Sequence, residues 1–201
     1  MEDSKKLFLL DAYALIYRGY YAFIKNPRIN SKGTDTSAIL GFMNSLLEII
    51  RTQKPDYLAV AFDKGGSITR SEMFTEYKSN RDKTPEPILV AIPYIKDILS
   101  AMKIPILEKE GYEADDVIGT VAKDAENNNF KVFMVTPDKD FAQLVSDNVF
   151  LCKPARMGNS MEIWGVNEVK EKFEVEDPDQ VIDYLGTVSY THLRAHETTR
   201  H

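Results

Sequence analysis

Short apolar runs of strand length alternate along the chain with longer segments of helical periodicity. The runs are rich in branched and aromatic residues and occupy 7–10, 57–62, 104–107, 131–136 and 149–152. Between them, the spacing of apolar residues predicts helices over 36–52, 87–102 and 114–127. This alternation predicts a mostly parallel sheet with helices on both faces, which is an α/β fold of three layers.

The same pattern assigns several residues to the interior. In the helix predicted over 36–52, six apolar residues fall on one stripe: Ile39, Leu40, Met43, Leu46, Leu47 and Ile50. The tyrosines and phenylalanines of 11–23 repeat at helix-like intervals and are expected to lie mostly in the core. Cys152 is expected to be a small buried hydrophobe, and Trp164 to pack against the sheet edge.

Composition indicates a single globular domain. The chain has 201 residues, 43% of them hydrophobic, and can bury one sizeable core. Its one cysteine excludes an internal disulfide, and the first apolar run is too short for a signal peptide or a membrane span. We therefore expect a protein of the cytoplasm that makes no membrane contact, and we also expect it to be a monomer.

The distribution of charge matters more than its sum. A net charge of −6 disfavours electrostatic binding of a polyanion over the whole surface. The segment 64–87 has mixed charge, but its five cations are interleaved with two aromatic residues in a way that suits phosphate and base contact: Lys64, Arg70, Phe74, Tyr77, Lys78, Arg81 and Lys83. This segment is predicted to be an excursion from the sheet, with a solvated surface helix as the alternative.

Acidic residues follow the predicted strands. Seven acids from four chain segments occupy such positions: Asp11, Asp63, Glu113, Asp115, Asp116, Asp138 and Asp140. In an open parallel sheet, the carboxyl ends of the strands form one edge, where ligands bind. We therefore expect these acids to converge at that edge.

So many carboxylates predict a bound cation, because neighbouring negative charges raise one another's pKa. Oxygen ligands alone, with no histidine before position 192, favour Mg²⁺ or Mn²⁺ over zinc. Since Mg²⁺ takes one or two carboxylates, the number of acids predicts two ions. Helix capping is the alternative for each single acid, but capping does not predict repetition at four strand ends.

Five stretches, in this order and at about this spacing, resemble the 5′ nuclease domain of bacterial DNA polymerase I, within the flap endonuclease family. They are LLDAYALIYRGYYA, AVAFD, YKSNR, GYEADDVIGTVA and TPDKDFAQLV, and the resemblance covers about 5–186. It implies a PIN-like, flap-endonuclease-like fold with a helical arch inserted at about 64–84. It also implies metal-dependent 5′-3′ exonuclease or 5′-flap endonuclease activity on DNA in primer removal and repair, in one polypeptide with a polymerase domain.

The resemblance also implies two sets of metal ligands. Asp11, Asp63, Glu113 and Asp115 resemble ligands of the catalytic ion, with Asp116 close by. Asp138 and Asp140 resemble ligands of the second ion.

The implied substrate is DNA with a 5′ flap or a nicked end, including an RNA primer. Lys78 and Arg81 resemble the cations that the arch offers to the scissile phosphate, and Arg18 resembles a residue that holds the substrate strand. Arg70 and Tyr77 are expected to contact DNA together with them.

The resemblance ends after Gly186. Tyr190 and Leu193 stand where the family has two further aspartates, and all three histidines fall in the last ten residues. We expect a nuclease domain over 1–186, and a non-native tail over 187–201 in place of a helix-hairpin-helix region. A genuine histidine-rich metal tail is the alternative.

Other functions stay open at this point. Without all ligands of the second ion, the chain could bind nucleic acid and not cleave it. A PIN-type ribonuclease shares acids at strand ends but gives no reason for the long basic segment. A phosphatase of the haloacid dehalogenase type is disfavoured, because Asp11-Ala12-Tyr13 lacks the second aspartate of its nucleophile motif.

Overall fold

A six-stranded sheet forms the centre of the computed structural model, which describes residues 4–64, 83–154 and 161–187. Its strands are β1 (Lys6–Asp11), β2 (Tyr57–Ala61), β3 (Ile106–Leu107), β4 (Lys131–Val135), β5 (Val149–Lys153) and β6 (Glu162–Trp164). Their order is β3-β2-β1-β4-β5-β6, and neighbouring strands are parallel except β5 and β6. The predicted mostly parallel sheet is confirmed.

Helices cover both faces of this sheet. They are α1 (Ala12–Ala22), α2 (Ser37–Gln53), α3 (Glu86–Ala101), α4 (Ala114–Asn127) and α5 (Val166–Phe173), with 3₁₀ helices at Lys139–Leu144 and Pro178–Gln180. Residues 181–187 are also helical. The helices predicted over 36–52, 87–102 and 114–127 agree with α2, α3 and α4 to within one residue at each end. None of the helices in the described part of the chain has the length and apolarity needed to cross a membrane.

Two apolar cores lie on opposite faces of the sheet. Successive residues of a strand point to opposite faces, so Phe8 and Leu10 of β1 pack with α1, α2 and α3, whereas Leu9 packs with α4 and α5. On the sheet itself, Phe133 stacks between Phe8 and Phe150, with ring centroids 4.6 Å and 5.1 Å apart. The three-layer α/β fold is therefore confirmed.

Helices α1 and α2 meet at two glycines. A Cβ built on Gly41 would lie 2.2 Å from Gly19 Cα, so only glycine allows this approach. The contact turns the side of α2 that carries Ala38, Phe42 and Leu46 into the core. The predicted stripe was therefore wrong in part: Leu40 is 39% exposed, and the partly buried residues are Ile39, Met43, Leu47 and Ile50.

The prediction that the aromatic residues of 11–23 lie mostly in the core is confirmed only in part, because three of them pack against the core from its border. The buried face of α1 consists of small and aliphatic residues, Ala12, Leu15, Ile16 and Gly19. The tyrosines border this face: Tyr13, Tyr17 and Tyr20 are partly buried against the core, and Tyr21 is 53% exposed. The Tyr17 hydroxyl donates to Thr84 Oγ1 at 3.0 Å. Cys152 is fully buried and Trp164 is buried on the edge strand β6, so both of those predictions are confirmed.

Candidate active site

The candidate site lies where the strand order of the sheet reverses. Strands β2 and β3 lie on one side of β1, and β4, β5 and β6 lie on the other. In open α/β sheets, a crevice for ligands forms at this switch point, outside the carboxyl ends of the strands. Asp11 is the last residue of β1, and Asp138 follows β4 after Thr136 and Pro137.

Asp11 is held by two donors from different elements. Its Oδ1 accepts a hydrogen bond from the Ala14 N–H at 3.1 Å, which makes Asp11 the N-cap of α1. Its Oδ2 accepts a hydrogen bond from Thr136 Oγ1 at 3.0 Å. Burial raises the pKa of Asp11, the two hydrogen bonds oppose this shift, and the charges of Asp63 and Asp138 add to it.

Asp63 and Glu113 meet at the N-terminus of α4. Oδ1 of Asp63, just beyond β2, accepts a hydrogen bond from the Ala114 N–H at 2.5 Å. Glu113 is the N-cap residue and only 4% exposed, and its backbone N–H donates to Oδ2 of Asp116 at 3.1 Å. The N–H groups at this end of α4, which have no carbonyl partner within the helix, and the helix dipole favour negative charge there. Helix capping therefore explains part of the acidic group at this helix end. It does not explain Asp63, which comes from a distant part of the chain.

Asp115 experiences the charge of the whole group. It keeps exposed surface, yet the surrounding protein removes enough water from its carboxyl to raise the pKa. The charges of Asp11, Asp138, Asp63 and Glu113 raise it further, to about 7. The structure thus brings together five of the seven predicted acids from four chain segments. Their role as metal ligands stays a prediction.

The two other acids lie beside members of this group. Asp138 caps the 3₁₀ helix, because its Oδ1 accepts a hydrogen bond from the Asp140 N–H at 2.9 Å. Burial and the charge of Asp138 raise the pKa of Asp140, and Lys139 lowers it. Asp116 makes the contact with Glu113 described above. Ligand roles for Asp116 and Asp140 also stay predictions.

The donor set suits a hard divalent ion that keeps part of its water. All the site groups are carboxylates, and burial, followed by the negative charge of neighbouring acids, raises the pKa of Asp11, Asp115 and Asp140. Within the described ranges, no three acidic, histidine or cysteine side chains form a group that could by itself hold an ion. Because Mg²⁺ takes one or two carboxylates and retains several waters, it needs no such cage, whereas zinc takes three or four direct ligands.

The predicted DNA contacts are only partly within the described structure. Arg18 lies on α1, about 10 Å along the helix axis from Asp11. It lines a cavity of about 80 Å³ together with Glu48 and Met161. Its contact with a substrate strand stays a prediction. Outside the described residues lie Arg70, Tyr77, Lys78, Arg81, most of the arch expected at 64–84, and the tail beyond residue 187 with Tyr190 and Leu193.

Three residues near the site were missed from the sequence. Thr136 is fully buried, and its only sequence signal was a polar residue ending an apolar run. Burial raises the pKa of Tyr13, and the charge of Asp63 adds to that shift, which places Tyr13 beside the site. Lys96 Nζ lies 4.8 Å from the ring centroid of Phe62, the residue before Asp63. Nothing in the helical pattern of α3 distinguishes Lys96.

The three-layer α/β fold with its mostly parallel six-stranded sheet is that of the PIN-like, flap-endonuclease-like class of proteins. The structure of bacteriophage T5 flap endonuclease, a complex with DNA and metal ions, has this fold. It aligns with a TM-score of 0.65 and 22% identity, over 88% of this chain and 63% of that chain.

The family follows from the sequence match. The family model for the 5′-3′ exonuclease N-terminal resolvase-like domain matches residues 6–174. The chain belongs to this family, and the resemblance expected from its motifs is confirmed.

Relatives share the region but are longer. The chain is 41% identical over 184 residues to a 5′-3′ exonuclease of Aquifex aeolicus, covering 92% of this chain and 61% of the relative. It is 38% identical over 187 residues to DNA polymerase I of Bacillus subtilis, covering 92% of this chain and 21% of that protein. The chain therefore spans less than two thirds of either relative.

Proposed function

We propose that this chain is a divalent-metal-dependent nuclease that hydrolyses DNA phosphodiester bonds as a 5′-3′ exonuclease or 5′-flap endonuclease. The observation that carries the proposal is the convergence of acids from four chain segments at the switch point of the sheet: Asp11, Asp63, Glu113, Asp115 and Asp138. Support for the substrate class comes from relatives named 5′-3′ exonuclease and DNA polymerase I, and from the T5 flap endonuclease complex with DNA and metal ions.

The proposal includes finer points. The cofactor is Mg²⁺ or Mn²⁺, with two ions in the intact domain. The substrate is DNA with a 5′ flap or nicked end, including an RNA primer, and the full polypeptide carries a polymerase domain and acts as a monomer in the cytoplasm. The nuclease domain covers 1–186, and its arch lies at about 64–84, where Lys78 and Arg81 offset charge on the scissile phosphate.

A divalent ion bound in such a site lowers the pKa of a water molecule and offsets the charge of the phosphate. Among Asp11, Asp63, Glu113 and Asp115, one or two carboxylates would bind one ion directly and the others through its water molecules, with Asp138 and Asp140 at the second ion. The donors that fix these carboxylates are the Ala14 N–H and Thr136 hydroxyl on Asp11, the Ala114 N–H on Asp63 and the Asp140 N–H on Asp138. Each bonded oxygen keeps a second lone pair for a cation.

The pKa of Asp115 links cation binding to pH. With a pKa of about 7, its carboxyl is partly protonated in the neutral pH range when no cation is present. Binding a cation displaces that proton, so the affinity for divalent ions rises as the pH rises through 7. Neutral Asp115 also limits the repulsion among the acids of the metal-free protein.

The experiment compares two aspartates of the same helix. Wild type, Asp115→Asn and Asp124→Asn are incubated with a 5′-labelled flap DNA in Mg²⁺, in Mn²⁺ and in EDTA. Asp124 is exposed, nine residues beyond Asp115 on α4. We expect cleavage with either ion and none in EDTA. Asp115→Asn should lower the rate by about 100-fold or more, because even indirect supports of a metal site cost about 10–100-fold, and Asp124→Asn should match wild type.

Other outcomes separate the alternatives. If wild type binds the flap DNA but does not cleave it with either metal ion, the chain is a nucleic-acid-binding protein and not a nuclease. Cleavage of a matched RNA substrate under the same conditions, with none of the flap DNA, would indicate a PIN-type ribonuclease. Equal rates for Asp115→Asn and Asp124→Asn would refute the assignment of the acidic site.

A further inference from the structure

A buried hydroxyl joins two parts of the acidic site. Thr136 is 0% exposed, and its Oγ1 donates to Oδ2 of Asp11 at 3.0 Å while it accepts a hydrogen bond from the Asp138 N–H at 3.2 Å. The Thr136 backbone N–H donates to the Cys152 carbonyl oxygen at 3.1 Å, which ties this residue to β5. A hydroxyl carries one proton and two lone pairs, so it can make both side-chain bonds at once.

We propose that Thr136 is a positioning residue that couples the Asp11 carboxylate to the loop carrying Asp138. The coupling sets the spacing between groups that would serve the two ions, so it rests on the proposed function. The Thr136–Asp11 contact joins residues 125 positions apart in sequence. A local turn motif therefore does not account for it.

Repulsion between the acids gives this contact its importance. Asp11 and Asp138 are close enough for the charge of Asp138 to act on Asp11. Without a shared partner, like charges at the ends of neighbouring strands lower their energy by turning apart. In the described part of the chain, every buried side-chain nitrogen or oxygen has a hydrogen-bond partner. Thr136→Val keeps the branched shape and removes both the donor to Asp11 and the acceptor for Asp138.

The test measures Mn²⁺ binding by the full chain in the absence of DNA, using electron paramagnetic resonance of free Mn²⁺. We expect Thr136→Val to lower the affinity about tenfold or more, within the range seen when groups behind metal ligands are removed. Thr136→Ser keeps the hydroxyl and should restore affinity close to that of wild type.

A matched control uses another buried hydroxyl. Ser37 is 1% exposed, and its Oγ accepts a hydrogen bond from the Arg28 N–H at 2.8 Å rather than contacting a site carboxylate. Ser37→Ala should lower thermal stability and leave Mn²⁺ affinity unchanged. A general loss of stability is thereby separated from loss of positioning.

A second readout needs no metal. In the metal-free protein, the Asp138 amide should exchange its hydrogen faster in Thr136→Val than in wild type or Thr136→Ser, because the acceptor has been removed. Nuclear magnetic resonance measures this exchange at a single amide.

The outcomes distinguish the two proposals. If wild type binds no Mn²⁺, the proposed function fails, and the exchange rates at Asp138 alone decide whether the positioning role stands. If Thr136→Val binds Mn²⁺ as tightly as Ser37→Ala, the positioning role is overturned. If Thr136→Val does not fold, Thr136→Ser decides: a tenfold loss despite its hydroxyl overturns the proposal, and near-native affinity with native exchange at Asp138 supports it.

Discussion

The close approach of α1 and α2 predicts that Gly41→Ala destabilises the protein. In the exposed interior of a helix, this substitution stabilises by about 1 kcal/mol, because alanine has the higher helix propensity. At Gly41 the new methyl would meet the backbone of Gly19, and backbone atoms cannot rotate away as the end of a side chain can. Gly41→Ala is therefore expected to destabilise the protein, whereas helix propensity alone predicts that it stabilises.

The geometry gives the magnitude. Carbon atoms pack at about 3.5–4.0 Å, so a methyl 2.2 Å from Gly19 Cα requires the two helices to separate by roughly 1.3 Å. The separation also loosens the packing of Ala38 and Phe42 against α1. Overpacking of this kind costs about 1–3 kcal/mol, occasionally more. Since only backbone can yield, we expect a net loss of about 2 kcal/mol after the gain in propensity, and a fall in Tm of about 4–8 °C.

Differential scanning fluorimetry of Gly41→Ala against Gly119→Ala provides the assay. Gly119 lies in α4, and a Cβ there meets only the Leu144 Cδ1 atom, at 3.2 Å, which a flexible side chain can move. Gly119→Ala should therefore leave Tm unchanged or raise it, since replacing glycine at a compatible site gains about 0.4–1 kcal/mol. A Tm for Gly41→Ala equal to or above that of Gly119→Ala would refute the described helix contact.

Three further predictions follow from the site and its surroundings. In EDTA, the raised pKa of Asp115, about 7, means that its contribution to stability is complete below its ordinary pKa and is lost as the pH rises through 7. The Tm of Asp115→Asn should thus rise relative to that of wild type as the pH rises from about 5 to about 8. A difference in Tm that does not depend on pH would contradict this. Burial raises the pKa of Cys152 to about 12, so iodoacetamide should label it only in denaturant, and rapid labelling of the native chain would disprove its burial. The ion pair of Lys96 with Glu108, at 2.7 Å, is partly exposed, so Lys96→Met should change the urea-derived unfolding free energy by about 1 kcal/mol or less, and a larger loss would show that Lys96 has a further role.

The architecture could be predicted because its signals are local. Apolar runs of four to six residues identify β1, β2, β4 and β5 directly, and the alternation with helices determines the parallel arrangement. The rule that parallel strands place their carboxyl ends at one edge then brings Asp11, Asp63 and Asp138 together without any distance being known. By contrast, β6 has only three residues and α5 eight, too few to produce a clear period.

The remaining features depend on partners far away in sequence. The buried side of α2 is selected by the contact of Gly41 with Gly19, not by the apolar stripe of α2 alone. The Thr136 hydroxyl acquires its meaning only when β4 lies beside β1 and its oxygen meets Asp11. The raised pKa of Asp115 is likewise a property of the assembled group. Long-range contacts of this kind leave no periodic trace in a single sequence.

The stack of Phe8, Phe133 and Phe150 has a consequence for the accuracy of folding. These rings are directly paired in the registers of β1 with β4 and of β4 with β5. Sliding β4 by one residue would turn its ring to the opposite face of the sheet and break both stacks. The same error would shift Asp138 along the strand by about 3.3 Å relative to Asp11. The three stacked rings therefore stabilise the strand register in which Asp11 and Asp138 are aligned, relative to registers in which these acids would be displaced.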